Sequence, residues 1–126
     1  MSILLFSLFI GVLLPIVLSW VGGYYRAQQF GSIDNKHPRE QSAALEGAGA
    51  RAVAAQQNAW EALAVFTAAV VAHTFRGGDV EIASILAGVW LGARILHAIF
   101  YLVNLDALRS LAFLVGLGCA VALFFV

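Results

Sequence analysis

A single cysteine, Cys119, among 126 residues allows no disulfide within the chain and no cysteine-rich metal site, so none is expected. Charge is scarce too: Asp, Glu, Lys and Arg make up 11% of the residues, where soluble domains carry about 25%. The seven basic and seven acidic side chains cancel to a net charge of +0, which leaves no electrostatic footprint for nucleic acid. No glycine-rich phosphate loop, nucleophile elbow or HExxH pattern occurs. What the chain has in abundance is apolar surface, 62% of residues with a mean hydropathy of +0.90. A water-soluble fold this small has too little interior to hide so much of it. That excludes a soluble enzyme and points to a bilayer.

A spanning helix takes about 20 mostly apolar residues. Four such helices use roughly 80 residues and leave short connections. The pattern predicts an all-α, integral membrane four-helix bundle in a single domain over residues 1–126, with spans at about 3–23, 43–75, 81–104 and 108–126. The first apolar run has no basic residue before it and no small-residue cleavage site leading into a soluble domain, so it reads as a retained span rather than a signal peptide. Trp20, Tyr24 and Tyr25 near its end suit an interfacial aromatic belt. The polar stretch 26–42, with Arg26, Lys36 and Arg39 and turn chemistry from Asp34 to Arg39, is the main loop. Gly77-Gly78-Asp79 is a tight turn, and residues 105–107 form a short link. Arg26, Lys36, Arg39 and Arg109 fall on one side of this layout and only Arg76 on the other. The positive-inside rule then puts the 26–42 loop in the cytoplasm and both termini outside.

Polar residues inside the spans need a reason, because a charge in the bilayer costs at least about 2.5 kcal/mol. On the second span Arg51, Asn58 and Glu61 fall within roughly 80° of one another, with Gln57 beside them; on the third, Arg94, His97, Tyr101 and Asn104 do the same. The two helices are antiparallel, and Glu61 and Arg94 each lie about 15 Å inward from the cytoplasmic boundary. Matching depth predicts an ion pair between them. One reading of the stripes is a register lock between helices. The other is a polar pocket open to the cytoplasm, in which Arg51, Asn58, Arg94 and Tyr101 offer donors to an anionic or zwitterionic ligand. His73 reads as an interfacial residue, Cys119 as an inert thiol, and Asp34 and His37 as solvated loop residues. Gly88 and Gly92 make a GxxxG step suited to close helix packing.

The segments from Arg51 to Glu61 and from Ala93 to Tyr101, followed by Leu108-Arg109-Ser110, resemble the MAPEG family, the membrane-associated proteins in eicosanoid and glutathione metabolism. The Asp34-Asn35-Lys36-His37-Pro38-Arg39 loop is similar to that of bacterial members, which implies a bacterial inner membrane. The resemblance implies a homotrimer of four-helix bundles, with glutathione as co-substrate between neighbouring protomers near the cytoplasmic face. It implies that Arg51, Asn58, Glu61, Arg94, His97 and Tyr101 bind glutathione and that Arg109 is the catalytic, thiol-activating residue. The activity implied is that of a glutathione-dependent transferase or peroxidase, with a lipophilic electrophile or hydroperoxide arriving through the membrane lipid. Ala50 and Ala54 stand where many eukaryotic members carry Glu and Arg, so this chain has fewer cationic anchors. Two other classes stay open. One is a small four-span proton-coupled transporter in which Glu61 carries the proton, although small multidrug exporters carry their acidic residue in the first span and this one has none. The other is a catalytically eroded membrane scaffold of the same fold.

Overall fold

Short polar side chains start two of the long helices. Ser2 Oγ accepts from the Leu5 amide at 3.3 Å, and Asp79 Oδ1 accepts from the amides of Glu81 and Ile82 at 2.9 Å each. These are N-caps that satisfy amides left free by the first turn. Glycines end two helices: Gly31 and Gly77 sit in the left-handed region, at φ 79° and 66°, and close back on Ala27 and His73. The computed structural model describes residues 1–126 and contains five helices and no strand. They are α1 (Ile3–Phe30), α2 (Pro38–Ala43), α3 (Gly47–Arg76), α4 (Val80–Leu102) and α5 (Asp106–Leu123).

Three of these, α1, α4 and α5, are long and apolar enough to cross a membrane. The 30-residue α3 is long enough, but Arg51, Asn58 and Glu61 interrupt its apolar character. The polar stretch between the first two long helices is more ordered than its composition suggests. Helix α1 continues through Tyr24, Tyr25 and Arg26 to Phe30, and α2 starts with Pro38, whose fixed φ and missing amide suit a first helical position. Gln29 then clips the two ends together, donating to the Ala44 carbonyl at 3.1 Å and accepting from the Glu46 amide at 3.0 Å. Helix α3 therefore begins at Gly47, a turn later than the apolar pattern alone indicates.

Helices α3 and α4 form the middle of the bundle. Helix α1 packs on both of them, and α5 packs mainly on α4 and lightly on α3; α1 and α5 do not touch. The main core is a stack of Phe66 on Trp90, with ring centroids 3.7 Å apart and planes 8° from parallel. Ala69, Val70, Ala83, Ala87, Ala120 and Leu123 surround it. Small residues let the helices come this close. A Cβ on Gly11 would lie 2.8 Å from the edge of the Trp90 ring, so α1 meets α4 there only with glycine. A second cluster, Leu18, Ala55, Ala59 and Ala98, packs nearer the polar end. Gly88 and Gly92 are both exposed and make no tight approach: a Cβ on Gly88 would lie 4.0 Å from Ile3 Cγ2 of α1, and one on Gly92 would meet open space.

Candidate functional site

The two polar stripes meet where α3 and α4 cross. Arg94 is 2% exposed, and its Nη2 donates to Asn58 Oδ1 at 2.6 Å and lies 3.4 Å from His97 Nδ1. His97 is 3% exposed and packs edge-on against Tyr101, with centroids 5.6 Å apart. From α5 the Arg109 guanidinium reaches back to lie 4.4 Å above the centre of the Tyr101 ring. An arginine over a tyrosine face is attracted by the ring quadrupole and is held flat. Helix α5 comes close enough because it presents Ala112, Gly116 and Ala120 to α4. A Cβ on Gly116 would already sit 3.4 Å from Arg94 Cδ.

Two cavities open from this junction, and Asn58 lines both. The first, of about 170 Å³, runs between α3, α4 and α5; it carries Glu61 and Arg94 at one side and Val65, Trp90, Phe113 and Leu117 along its apolar walls. The second, of about 360 Å³, is lined by Asn58, His97, Tyr101, Arg109, Ser110 and Phe113. A charged end joined to an apolar slot suits a ligand pair of unlike polarity: a polar anion held by donors and an apolar molecule beside it.

The expected Glu61–Arg94 ion pair does not form within the chain. Arg94 takes Asn58 as its partner, while Glu61, about 60° further round α3, is exposed on the surface of the chain and shares only the first cavity with Arg94. Arg51 also stands apart from the cluster. Its Nε and Nη2 donate to the Leu102 carbonyl at 3.3 and 3.2 Å, so the guanidinium caps the C-terminal end of α4, where the helix dipole favours a cation. The structure thus brings together Asn58, Arg94, His97, Tyr101 and Arg109, sets Glu61 at the edge, and places Arg51 outside. His73, read as interfacial, is 5% exposed, and its Nδ1 lies 2.8 Å from the Val126 carbonyl oxygen. Arg76 donates to the Phe124 carbonyl beside it.

Sequence reasoning missed a second polar groove. Ser19 and Arg26 of α1, Arg39 and Ser42 of α2 and Gln56 of α3 line a space of about 400 Å³. Gln56 lies on the flank of α3 opposite Asn58 and Glu61, so the two polar sites look out to opposite sides of that helix. The signal was present as two arginines thirteen positions apart, but it became legible only once α2 had folded Arg39 back over Arg26, whose Nη1 bonds the Pro38 carbonyl at 3.4 Å.

No curated protein and no solved structure matches the chain. The model of the MAPEG family does, across residues 3–126. With three helices able to cross a bilayer and that match over nearly its whole length, this chain is an integral membrane protein that belongs to the MAPEG family.

Proposed function

We propose that the protein is a membrane-embedded, glutathione-dependent transferase or peroxidase acting on lipophilic electrophiles or hydroperoxides. The observation that carries the reading is the cavity where Asn58, His97, Tyr101 and Arg109 converge between apolar helices. A free thiol has a pKa near 8.5, and the nucleophile is the thiolate. Arg109 is the catalytic residue: a guanidinium never loses its proton under these conditions, so it favours the thiolate of bound glutathione, whose proton leaves to water at the pocket mouth. With a carbon electrophile, the thiolate forms a C–S bond and the leaving group departs with its electron pair. With a hydroperoxide, sulfur takes the terminal oxygen as the O–O bond breaks, the alkoxide leaves with the electron pair and takes a proton from water to become the alcohol, and a second glutathione resolves the sulfenic acid to disulfide and water. Asn58, His97 and Tyr101 bind and orient the tripeptide, with the buried Arg94 behind them and Glu61 and Arg51 at its margins. The slot along Val65, Trp90 and Leu117 suits the apolar partner entering from membrane lipid.

The working assembly is a homotrimer of single-domain protomers, each crossing the membrane four times with α3 as the fourth span. An unpaired Glu61 on the surface of a spanning helix would cost several kcal/mol facing acyl chains, and a neighbouring chain against α3 removes that cost. A cyclic trimer uses a head-to-tail interface, in which one flank of each protomer meets the opposite flank of the next. The Arg26–Arg39–Gln56 groove of one chain then faces the Asn58–Arg109 cavity of its neighbour and supplies cations that Ala50 and Ala54 do not. The site lies at the cytoplasmic side of a bacterial inner membrane, with both termini outside.

The test is glutathione consumption by detergent-purified protein with an activated aryl halide and with an organic hydroperoxide, together with the thermal shift produced by glutathione. Turnover with either substrate supports the reading. No turnover with a clear thermal shift favours an eroded scaffold, and the absence of both overturns the glutathione assignment.

A further inference from the structure

The contact between Arg94 and its two partners has a direction. Arginine carries five N–H donors and no acceptor, so His97 Nδ1 can only accept in the 3.4 Å contact with Arg94 Nη2. Nδ1 therefore holds no proton, and the neutral ring carries its proton on Nε2. The same logic orients Asn58. The guanidinium faces Oδ1 at 2.6 Å, which turns the carboxamide NH₂ away from Arg94. Neither Asn58 Nδ2 nor His97 Nε2 is sealed in the interior without a partner. Both residues line the cavity that holds Tyr101, Arg109 and Ser110, and no carboxylate lines it.

Arg94 itself is not part of that lining. It is buried, and its Nε is one of only two buried side-chain polar atoms without a hydrogen-bond partner. A buried cation with an idle donor is a poor device for stability, since an unmet polar group in the interior is costly. Its placement makes sense if the two bonds it does make have another use.

We infer that Arg94 is a positioning residue that aims the Asn58 NH₂ and the His97 Nε2–H into the Tyr101–Arg109 cavity, where with the Arg109 guanidinium they make three converging donors for one anionic group. The identity of that anion as the thiolate or a carboxylate of glutathione rests on the function proposed above; the donor arrangement does not. No carboxylate lines that cavity to compete for the donors, and Arg94 fixes both from behind without lining it itself.

Nitrogen NMR of ¹⁵N-histidine-labelled protein in proteoliposomes, without glutathione, reads the tautomer directly. His37 and His73 are the other two histidines, and the His97→Gln variant assigns the His97 signals by their loss. The expected result is a neutral His97 ring protonated on Nε2 alone. In Arg94→Met, which keeps bulk and removes the donors, both tautomers should appear. A parent ring protonated on Nδ1, or on both nitrogens, overturns the inference, and that measurement needs no variant other than the one used for assignment. A second readout separates positioning from packing. The amide nitrogen of the residue introduced by His97→Gln reaches the place of Nε2, so glutathione affinity should stay within about threefold, while His97→Leu should lose about tenfold, the scale of one hydrogen bond to a charged group. Equal losses in the two variants overturn the donor role. A chain that shows the expected tautomer and yet binds no glutathione overturns the ligand assignment and leaves the role of Arg94 standing.

Discussion

Arg109 lies 4.4 Å above the centre of the Tyr101 ring, a contact that ties the first turns of α5 to the last turn of α4. The two residues sit on either side of the short connection between these helices, and Asn104 makes that connection tight by taking a positive φ of 63°. The most exposed of the site's cations is thus held on a rigid ring.

If the guanidinium acts on the thiol, Arg109→Ala should lower kcat at least about tenfold with a smaller change in KM, because the thiolate contact favours the reacting species over the bound ground state. Parallel measurements of turnover and of glutathione binding check this. Turnover like the parent's in Arg109→Ala would remove the residue from the chemistry.

The ring under Arg109 gives a second, independent expectation. Tyr101→Phe keeps the π face and should change kcat by less than about threefold. Tyr101→Leu removes it and should cost about two- to fivefold, the value of a partly exposed cation–π contact. The same transferase assay separates the two.

Asn58 offsets part of the cost of burying Arg94, whose Nε stays without a partner. Asn58→Leu leaves that guanidinium with one bond fewer and should destabilise the protein by about 1–3 kcal/mol. Asn58→Asp restores an acceptor of opposite charge and should come within about 1 kcal/mol of the parent or exceed it. Unfolding in mixed micelles gives both values. Had the partner been Glu61, replacing Asn58 would matter little and Glu61→Leu would carry the penalty.

The Phe66–Trp90 stack depends on the absence of a side chain across from it. Gly11→Val places carbon where a Cβ alone already lies 2.8 Å from the indole, so α1 must shift. A loss of about 1–3 kcal/mol is expected, the usual cost of overpacking. Phe66→Ala should cost about 3–5 kcal/mol by emptying the core. The same denaturation experiment serves, with near-ultraviolet circular dichroism reporting the indole environment.

Orientation follows from the basic residues of the 26–42 stretch. Ser32→Cys in a Cys119→Ser background should resist an impermeant maleimide applied to intact cells and react once the membrane is opened. Labelling from outside would invert the proposed topology.

The helical, membrane-embedded character of the chain and its family were legible in the sequence, because apolar runs of spanning length and the ordered residues of two helices survive without any tertiary information. The polar stripes were legible for the same reason: 100° per residue places Asn58 near Glu61, and Arg94 near His97, before any packing is known. Pairing across helices was not. Depth along the membrane normal matches Glu61 to Arg94, but depth is one coordinate, and the angle about the α3 axis decides which side chain faces α4. That angle is set by the small residues Ala52, Ala55 and Ala59, which are buried and fix the contact face of α3, leaving Asn58 at its inner edge and Glu61 at its outer one. The Arg26–Arg39 groove was hidden for a different reason. Its residues come from three elements, and the short α2 that joins them has no apolar period to announce it.

The lack of contact between α1 and α5 bears on how the protein is made. Helices that find partners among those already made can assemble in the order they leave the ribosome, with little waiting for a distant one. Here α1 has α3 to pack on before α4 exists, and α5 finds both of its partners, α4 and α3, already made. Arg109 arrives on α5, after the helices it packs against, so the proposed anion site stays incomplete until α5 has entered the membrane.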